Sequence, residues 1–218
     1  MTNLNLEELD SREPDRVIDL DLRRVMKQSL WLTGGGAAVL YLVSFLIRGE
    51  ISLSVSFGGF MLGLLLFTVG YVVLIVLHEA CHLLGFRIFG GVPFRKMAYG
   101  VNLEMGIAYA TTEIPLRNKP MRDALLLPLW LTGILPGIIG IWLDSHLLIL
   151  LSAFLIGGAA GDLEMNRQLR KLPDNWLIRD DPEKPKLYAY DPQEKEATPD
   201  EPGGTEDGPH ENGTTHES

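Results

Sequence analysis

The chain has 218 residues, enough for one domain with tails, and a formal net charge of −9 at pH 7. That charge belongs to one end, because residues 172–218 hold 13 acidic and 4 basic residues and the rest of the chain is close to neutral. No basic stripe with interleaved aromatic residues is present, which argues against nucleic acid as a partner. The single cysteine, Cys81, excludes an intramolecular disulfide.

Four uncharged runs follow the N-terminal segment, at residues 28–47, 51–77, 124–143 and 147–161. The first three reach the roughly 20 residues that a helix needs to cross a bilayer core. The fourth is long enough only if its helix continues through Asp162 toward Arg167. The runs predict a membrane all-α fold with about four transmembrane helices, embedded in a lipid bilayer.

The distribution of basic residues predicts how these helices are oriented. Lysines and arginines concentrate before the first run, between the second and third runs, and after the fourth. The positive-inside rule then places both termini and the central loop in the cytoplasm. We therefore expect a multi-pass protein whose short connections near residues 48–56 and 144–146 are external.

The segments outside the runs have distinct compositions. Residues 97–112 are rich in β-formers and predict a cytoplasmic β-hairpin with its turn at 102–106. Beyond Pro173 the chain is rich in Pro, Gly, Asp and Glu, which predicts a largely disordered acidic tail, at least from Asp191. The predicted organisation is a cytoplasmic segment (1–27), a membrane-embedded domain (28–172) and a cytoplasmic tail (173–218).

An HExxH motif, His78-Glu79-Ala80-Cys81-His82, directly follows the second run. On a helix the two histidines lie one turn apart on the same face and can bind one Zn²⁺ ion, while Glu79 is the catalytic base toward water. Cys81 points away from that face and is interpreted as a packed residue. The alternative is that the histidines cap the helix and Glu79 faces water, but three ionisable side chains within a membrane helix are costly without a shared function.

A catalytic zinc needs a third protein ligand. His146 is predicted on the opposite side of the membrane, and His210 and His216 lie in the predicted disordered tail. A carboxylate is the remaining choice, and Asp162 lies at the same predicted depth as the motif. Its preceding small residues, 157–161, would let helices approach closely.

Other interpretations of the carboxylates stay open at this stage. Asp162 could instead be a helix-end residue paired with Arg167 or Arg170. Glu113 and Asp123, in or beside the central loop, are the other candidate ligands.

The order of these motifs resembles that of a family of membrane zincin peptidases related to the site-2 proteases. In that family HExxH ends a membrane helix, and a β-rich loop, an acidic residue before a proline, a Leu-Pro and a late Gly-Asp-Leu follow. The corresponding segments are Glu113-Ile114-Pro115, Leu127-Pro128 and Gly161-Asp162-Leu163. The resemblance extends over residues 70–190 and implies an intramembrane zinc peptidase.

The predicted function is hydrolysis of peptide bonds in membrane or membrane-associated proteins by zinc-activated water, with Glu79 moving the proton. The hairpin would present an edge strand to an extended substrate. The alternative is a non-catalytic metal-binding membrane scaffold or transporter component. A transporter would carry more polar residues along its path, whereas the outer halves of these helices hold little beyond Thr68, Thr132 and Ser152.

Overall fold

The computed structural model describes residues 9, 12–51, 56–102, 107–181 and 184–192. This part of the chain is mostly helical and carries two small antiparallel sheets. In chain order the elements are β1 (Arg16–Asp19), α1 (Leu22–Arg48), α2 (Phe57–Gly90), β2 (Met97–Asn102), β3 (Ile107–Thr112), β4 (Leu116–Arg117), α3 (Asn118–Pro128), a π-helical turn (Leu129–Ile134), α4 (Leu135–Leu143), α5 (His146–Gly158), α6 (Ala160–Leu169), β5 (Leu177–Asp180) and β6 (Lys186–Tyr190).

Within the described ranges, three helical units are long and apolar enough to cross a bilayer: α1, α2 and the unit Asn118–Leu143. The pair α5 and α6, bent by 40°, would make a fourth. Large apolar side chains on these units face outward, and Trp31, Phe57 and Trp142 are at least 80% exposed. Such extensive exposed apolar surface is compatible with a membrane protein, and about four membrane-length helices is the number that the sequence predicts.

Helix α2 is longer than the apolar run that predicts it. It has 34 residues, begins after the N-cap Ser56 and ends before Gly91, whose φ of 67° is the left-handed conformation typical of a helix end. The HExxH motif therefore lies well inside a continuous helix and not at its end.

The third unit is interrupted in its middle. Pro128 ends α3, and residues Leu129–Ile134 form a π-helical turn before α4 resumes. Proline has no backbone N–H to donate, so the regular hydrogen-bond ladder is broken near it. Turns of this kind are frequent at functional sites.

The fourth apolar run does not continue as one straight helix through Asp162. The helix breaks at Ala159 (φ −73°, ψ 8°), and α6 leaves at 40° to α5. Asp162 consequently lies in the first turn of α6.

The predicted hairpin is confirmed. Strands β2 and β3 pair antiparallel from Met97↔Thr112 to Asn102↔Ile107. Residues 103–106, which hold most of the predicted turn, lie outside the described residues.

A second sheet, in the order β1-β6-β5-β4, was not predicted from the sequence. It joins a strand of the N-terminal segment to two strands of the tail that we expected to be disordered beyond Pro173. That expectation is wrong for β5 and β6, because Ile178, Leu187 and Ala189 are at most 2% exposed and belong to the main apolar core. The expected disorder from Asp191 onward concerns residues that, beyond 192, lie outside the described ranges.

Asn118 ties the start of α3 to the end of α6. Its side chain is fully buried, and its Nδ2 donates to the carbonyls of Leu169 and Leu172, both at 2.9 Å, and of Pro173 at 3.0 Å. The carbonyls of Leu169 and Pro173 also accept from the N–H groups of Leu172 and Trp176, at 3.0 and 3.3 Å, so the amide adds a further donor at the end of the helix. The contact fixes α6, and so Asp162, relative to the helix that follows the hairpin.

Arg48, at the end of α1, lies beside the turn between α4 and α5 at one end of the helical bundle. The Arg48 guanidinium is 3.2 Å from the Asp144 carboxylate and donates to the carbonyls of Ile141 and Trp142 at 2.8 and 3.0 Å. This arrangement agrees with the expectation that both turns share one side of the membrane.

Candidate metal centre

Helix α2 presents the two histidines of the motif on its inner face. His78 and His82 are one turn apart, 8% and 6% exposed, with ring centroids 5.1 Å from each other. Because residues four apart share a face, both rings point toward α3 and α6. The helical spacing alone therefore brings two imidazoles to one point.

Asp162 approaches both rings from α6. Its Oδ2 is 3.1 Å from His78 Nε2 and its Oδ1 is 3.4 Å from His82 Nε2. One ligand atom from each of the three residues lies within 4.8 Å of the others, and this is the group that could hold a metal ion in the part of the chain that the structure describes. Two imidazole nitrogens and a carboxylate oxygen are a donor set that suits zinc.

The other carboxylates weighed from the sequence lie elsewhere. Glu113 pairs with Lys96 and Asp123 pairs with Lys119, both at 2.8 Å. In the described part of the chain, the ion-pair contacts of Asp162 are with the two histidines, whereas Arg167 contacts Glu164 at 3.4 Å.

The remaining residues that the sequence singled out are not in the cluster. Cys81 is partly buried and stands outside it. His146 begins α5, at the far end of that helix from Asp162, with its ring 5.7 Å from that of Tyr41. His210 and His216 lie outside the described residues.

Each histidine ring is held through its second nitrogen. His82 Nδ1 lies 3.3 Å from the carbonyl oxygen of Ala124, and His78 Nδ1 lies 3.3 Å from the hydroxyl of Thr132. A carbonyl only accepts hydrogen bonds, so His82 carries a proton on Nδ1, and Nε2 is the nitrogen that faces Asp162. Contacts of this kind orient metal-binding histidines and fix their tautomer.

Close packing at the site comes from Gly85 and not from the small-residue stretch at 157–161. A Cβ at Gly85 would lie 2.8 Å from Ala124 Cα, so α2 and α3 are as close there as their backbones allow. A Cβ at Gly157 would instead meet Ser29 and Thr33 of α1. Gly157 thus packs α5 against α1, and neither it nor Gly158 or Gly161 has a close contact with α2, so the expectation that the small residues bring Asp162 to the histidines needs that correction.

The cluster opens into a cleft of about 270 Å³. Glu79 lines this cleft together with the three cluster residues, which puts its carboxylate in the same chamber as the candidate metal position. Residues 108–111 of β3 and the end of β5 form another part of its wall.

Asp180 is a carboxylate in that wall which sequence reasoning missed. Burial raises its pKa to about 7, although a hydrogen bond from Thr111 and the proximity of His82 act in the other direction. It lies in an acidic segment where a further aspartate carries no signal. Only the pairing of β5 within the unpredicted sheet brings it to the cleft.

Residues 71–177, just under half of the chain, match a family model described as "Putative zincin peptidase". No curated protein and no solved structure matches the chain. The matched segment holds all three residues of the metal-binding cluster and Glu79, and a zincin is by definition a zinc peptidase. Sequence comparison and geometry therefore both support a zinc peptidase family for this chain.

Proposed function

We propose that the protein is a membrane-embedded zinc peptidase that hydrolyses peptide bonds of membrane or membrane-associated proteins. The observation that supports this most is the convergence of His78, His82 and Asp162, with Oδ–Nε2 distances of 3.1 and 3.4 Å, in a cleft that also contains Glu79. The cluster resembles a site-2 protease site in having HExxH on one helix and an aspartate on a later one.

The three cluster residues would hold the ion and leave a fourth position open, as in catalytic zinc sites. Zinc bound there would supply a Lewis acid for the scissile carbonyl and would acidify a water molecule. Glu79 is not needed as a ligand, so its place in the same cleft suits a proton carrier. It takes a proton from the attacking water and delivers it to the leaving amine nitrogen.

The hairpin offers a way to hold the substrate. Strand β3 pairs with β2 alone within the described sheet, and its residues 108–111 line the cleft. An extended peptide can add to such an edge through main-chain hydrogen bonds. This arrangement favours a substrate that is unwound where it is cut, because the peptide bonds of a helix are already hydrogen-bonded within it.

The proposed position in the membrane goes beyond what the length and apolar composition of the helices indicate. With basic residues before the first unit, between the second and third, and after the fourth, both termini and the hairpin would be cytoplasmic. The cluster then lies in the cytoplasmic half of the bilayer, at the opposite end of the bundle from the Arg48–Asp144 contact. An aqueous cleft at that depth gives water access to a site otherwise enclosed by apolar helices.

The experiment compares zinc content and proteolysis in detergent-purified wild type, His78→Ala, His82→Ala and Glu79→Gln. We expect about one zinc per chain in the wild type and in Glu79→Gln, and loss of zinc in both histidine variants. Cleavage is followed by mapping new N-termini in membranes of cells expressing each form. Glu79→Gln should lower cleavage by a factor of about 10² or more, as expected for loss of a general base.

Glu113→Gln is the matched control, because that carboxylate is exposed and paired with Lys96 away from the cleft. It should retain both zinc and cleavage. A wild type without zinc, or zinc retained in both histidine variants, would refute the metal site. If the protein binds zinc but no cleavage depends on Glu79, the metal site stands and the peptidase proposal is wrong. The protein would then be a metal-binding scaffold.

A further inference from the structure

Thr132 is a buried polar residue beside the metal-binding cluster. It lies in the π-helical turn, is 3% exposed, and its Oγ1 is 3.3 Å from His78 Nδ1. The same oxygen is 2.9 Å from the carbonyl oxygen of Pro128, four residues earlier. The sequence marks Thr132 only as one of the few polar residues in the apolar runs.

The number of protons available indicates the direction of both hydrogen bonds. A hydroxyl has one proton, and a carbonyl oxygen can only accept, so the Thr132 proton points to Pro128. A hydroxyl lone pair therefore faces His78 and can only accept. It follows that Nδ1 of His78 carries a proton, and that Nε2, 3.1 Å from the Asp162 carboxylate, is the nitrogen left to bind a metal when the ring is neutral.

We propose that Thr132 is a positioning residue that fixes the tautomer and ring orientation of His78, so that Nε2 is presented as a metal ligand. The inference rests on the proposed zinc site and adds a residue that does not touch the ion. Its role is the one that Ala124 performs for His82 through a backbone carbonyl. When the second ring nitrogen of a histidine ligand donates a hydrogen bond to a hydroxyl oxygen, the nitrogen that binds the metal also becomes more basic.

The local helix geometry explains why a side chain accepts the hydrogen bond from His78. The turn Leu129–Ile134 follows Pro128 and places Thr132 Oγ1 between that carbonyl and α2. A residue without a hydroxyl at this position would leave a buried imidazole N–H without an acceptor, which is costly in an apolar setting. Valine has the shape of threonine without its hydroxyl and so isolates the hydrogen bond from the packing.

The test measures Zn²⁺ affinity by chelator competition on full-length protein in detergent, with Co²⁺ absorption as a second report on the ligand geometry. Thr132→Val should weaken zinc binding by about 10- to 100-fold, the range typical for loss of such a contact. Thr132→Ser keeps the hydroxyl and should stay within about threefold of the wild type. NMR spectra of protein labelled with ¹⁵N-histidine should show His78 protonated on Nδ1 in the wild type. The His78 signal is the one that is missing from the spectrum of His78→Ala.

Two controls remove a hydroxyl that does not touch a histidine. Thr68→Val is the same substitution at a threonine that also donates to the carbonyl four residues earlier, at 2.9 Å. Ser152→Ala removes a fully buried hydroxyl that donates to the Gly133 carbonyl at 2.7 Å. Both should keep wild-type zinc affinity.

The outcomes separate this proposal from the proposed function. Wild-type zinc affinity in Thr132→Val, or an equal loss in Thr132→Ser, would overturn the role of Thr132 and leave the metal site intact. An equal loss in Ser152→Ala would show a general effect of buried hydroxyls and would also overturn it. A wild type that binds no zinc overturns the metal site and this proposal together.

Discussion

Replacing Gly85 by alanine tests whether close packing of α2 on α3 maintains the metal site. Gly85 lies almost one turn after His82, and a Cβ there would be 2.8 Å from Cα, 2.9 Å from Cβ and 3.2 Å from the carbonyl oxygen of Ala124. Ordinary contact begins near 3.4 Å, so α3 has to move by at least about 0.6 Å. The atoms in the way are mostly backbone, so rotation of a side chain cannot relieve the clash.

The shift acts directly on His82. Its Nδ1 is 3.3 Å from the Ala124 oxygen, already long for a hydrogen bond. A further 0.6 Å or so takes the pair beyond hydrogen-bonding distance. We expect a loss of about 1–3 kcal/mol in the free energy of unfolding from overpacking, and a decrease in zinc affinity of about tenfold or more from the freed ring.

Chelator competition and thermal unfolding in one detergent measure both quantities. Gly63→Ala is the matched control, since it is the same substitution on the same helix with no atom within 4 Å of the added Cβ. It should leave zinc affinity unchanged and stabilise the helix by up to about 1 kcal/mol. If Gly85→Ala matches Gly63→Ala in both measurements, the close contact does not orient His82 and the reasoning is wrong.

Two further predictions concern the sheet that joins the chain ends. Because burial raises the pKa of Asp180 from an ordinary 3.8 to about 7, the folded metal-free protein holds a proton there that the unfolded chain has lost. Its contribution to stability is therefore present below pH 4 or so and is lost as the pH rises through about 7. The unfolding midpoint of the wild type, measured relative to that of Asp180→Asn at the same pH, should fall across this window. A difference between the two proteins that does not change with pH contradicts the assignment. Ending the chain after Leu172 removes β5 and β6 and should cost most of the stability, since it strips Ile178 and Leu187 from the core, whereas ending it after Pro192 should have little effect on the unfolding midpoint.

The features that the sequence predicts well depend on local patterns. Helical spacing determines that His78 and His82 share a face, and long uncharged runs predict membrane-length helices. Alternating β-formers over a short segment predict the β2–β3 hairpin. Asp162 was chosen by elimination and depth, which required only that two helices end on the same side of the bundle.

The features that were missed depend on contacts between distant parts of the chain. Strand β1 pairs with β6 across about 170 residues, from Arg16↔Ala189 to Asp19↔Lys186. Strands of four or five residues carry little pattern, and the acidic composition of residues 172–218 obscures the apolar residues of β5 and β6. Thr132 could have been noticed as a hydroxyl in an apolar run, but nothing in the sequence places it beside His78.

The tautomers of the two histidines bear on whether the cluster is a structural pair or a metal site. Both Nδ1 atoms face acceptors, and both Nε2 atoms are directed at the oxygens of Asp162, at 3.1 and 3.4 Å. Lone pairs on imidazole and carboxylate repel at these distances unless something positive lies between them. Protonating both rings would create two imidazolium ions 5.1 Å apart against a single carboxylate, an excess of buried positive charge within an apolar bundle. A single divalent cation satisfies all three groups at once and needs no proton on either Nε2. Without a metal, one protonated ring facing the single carboxylate would also balance the charge. In either case His78 and His82 converge on Asp162 from another helix, which histidines that only cap a helix would not do.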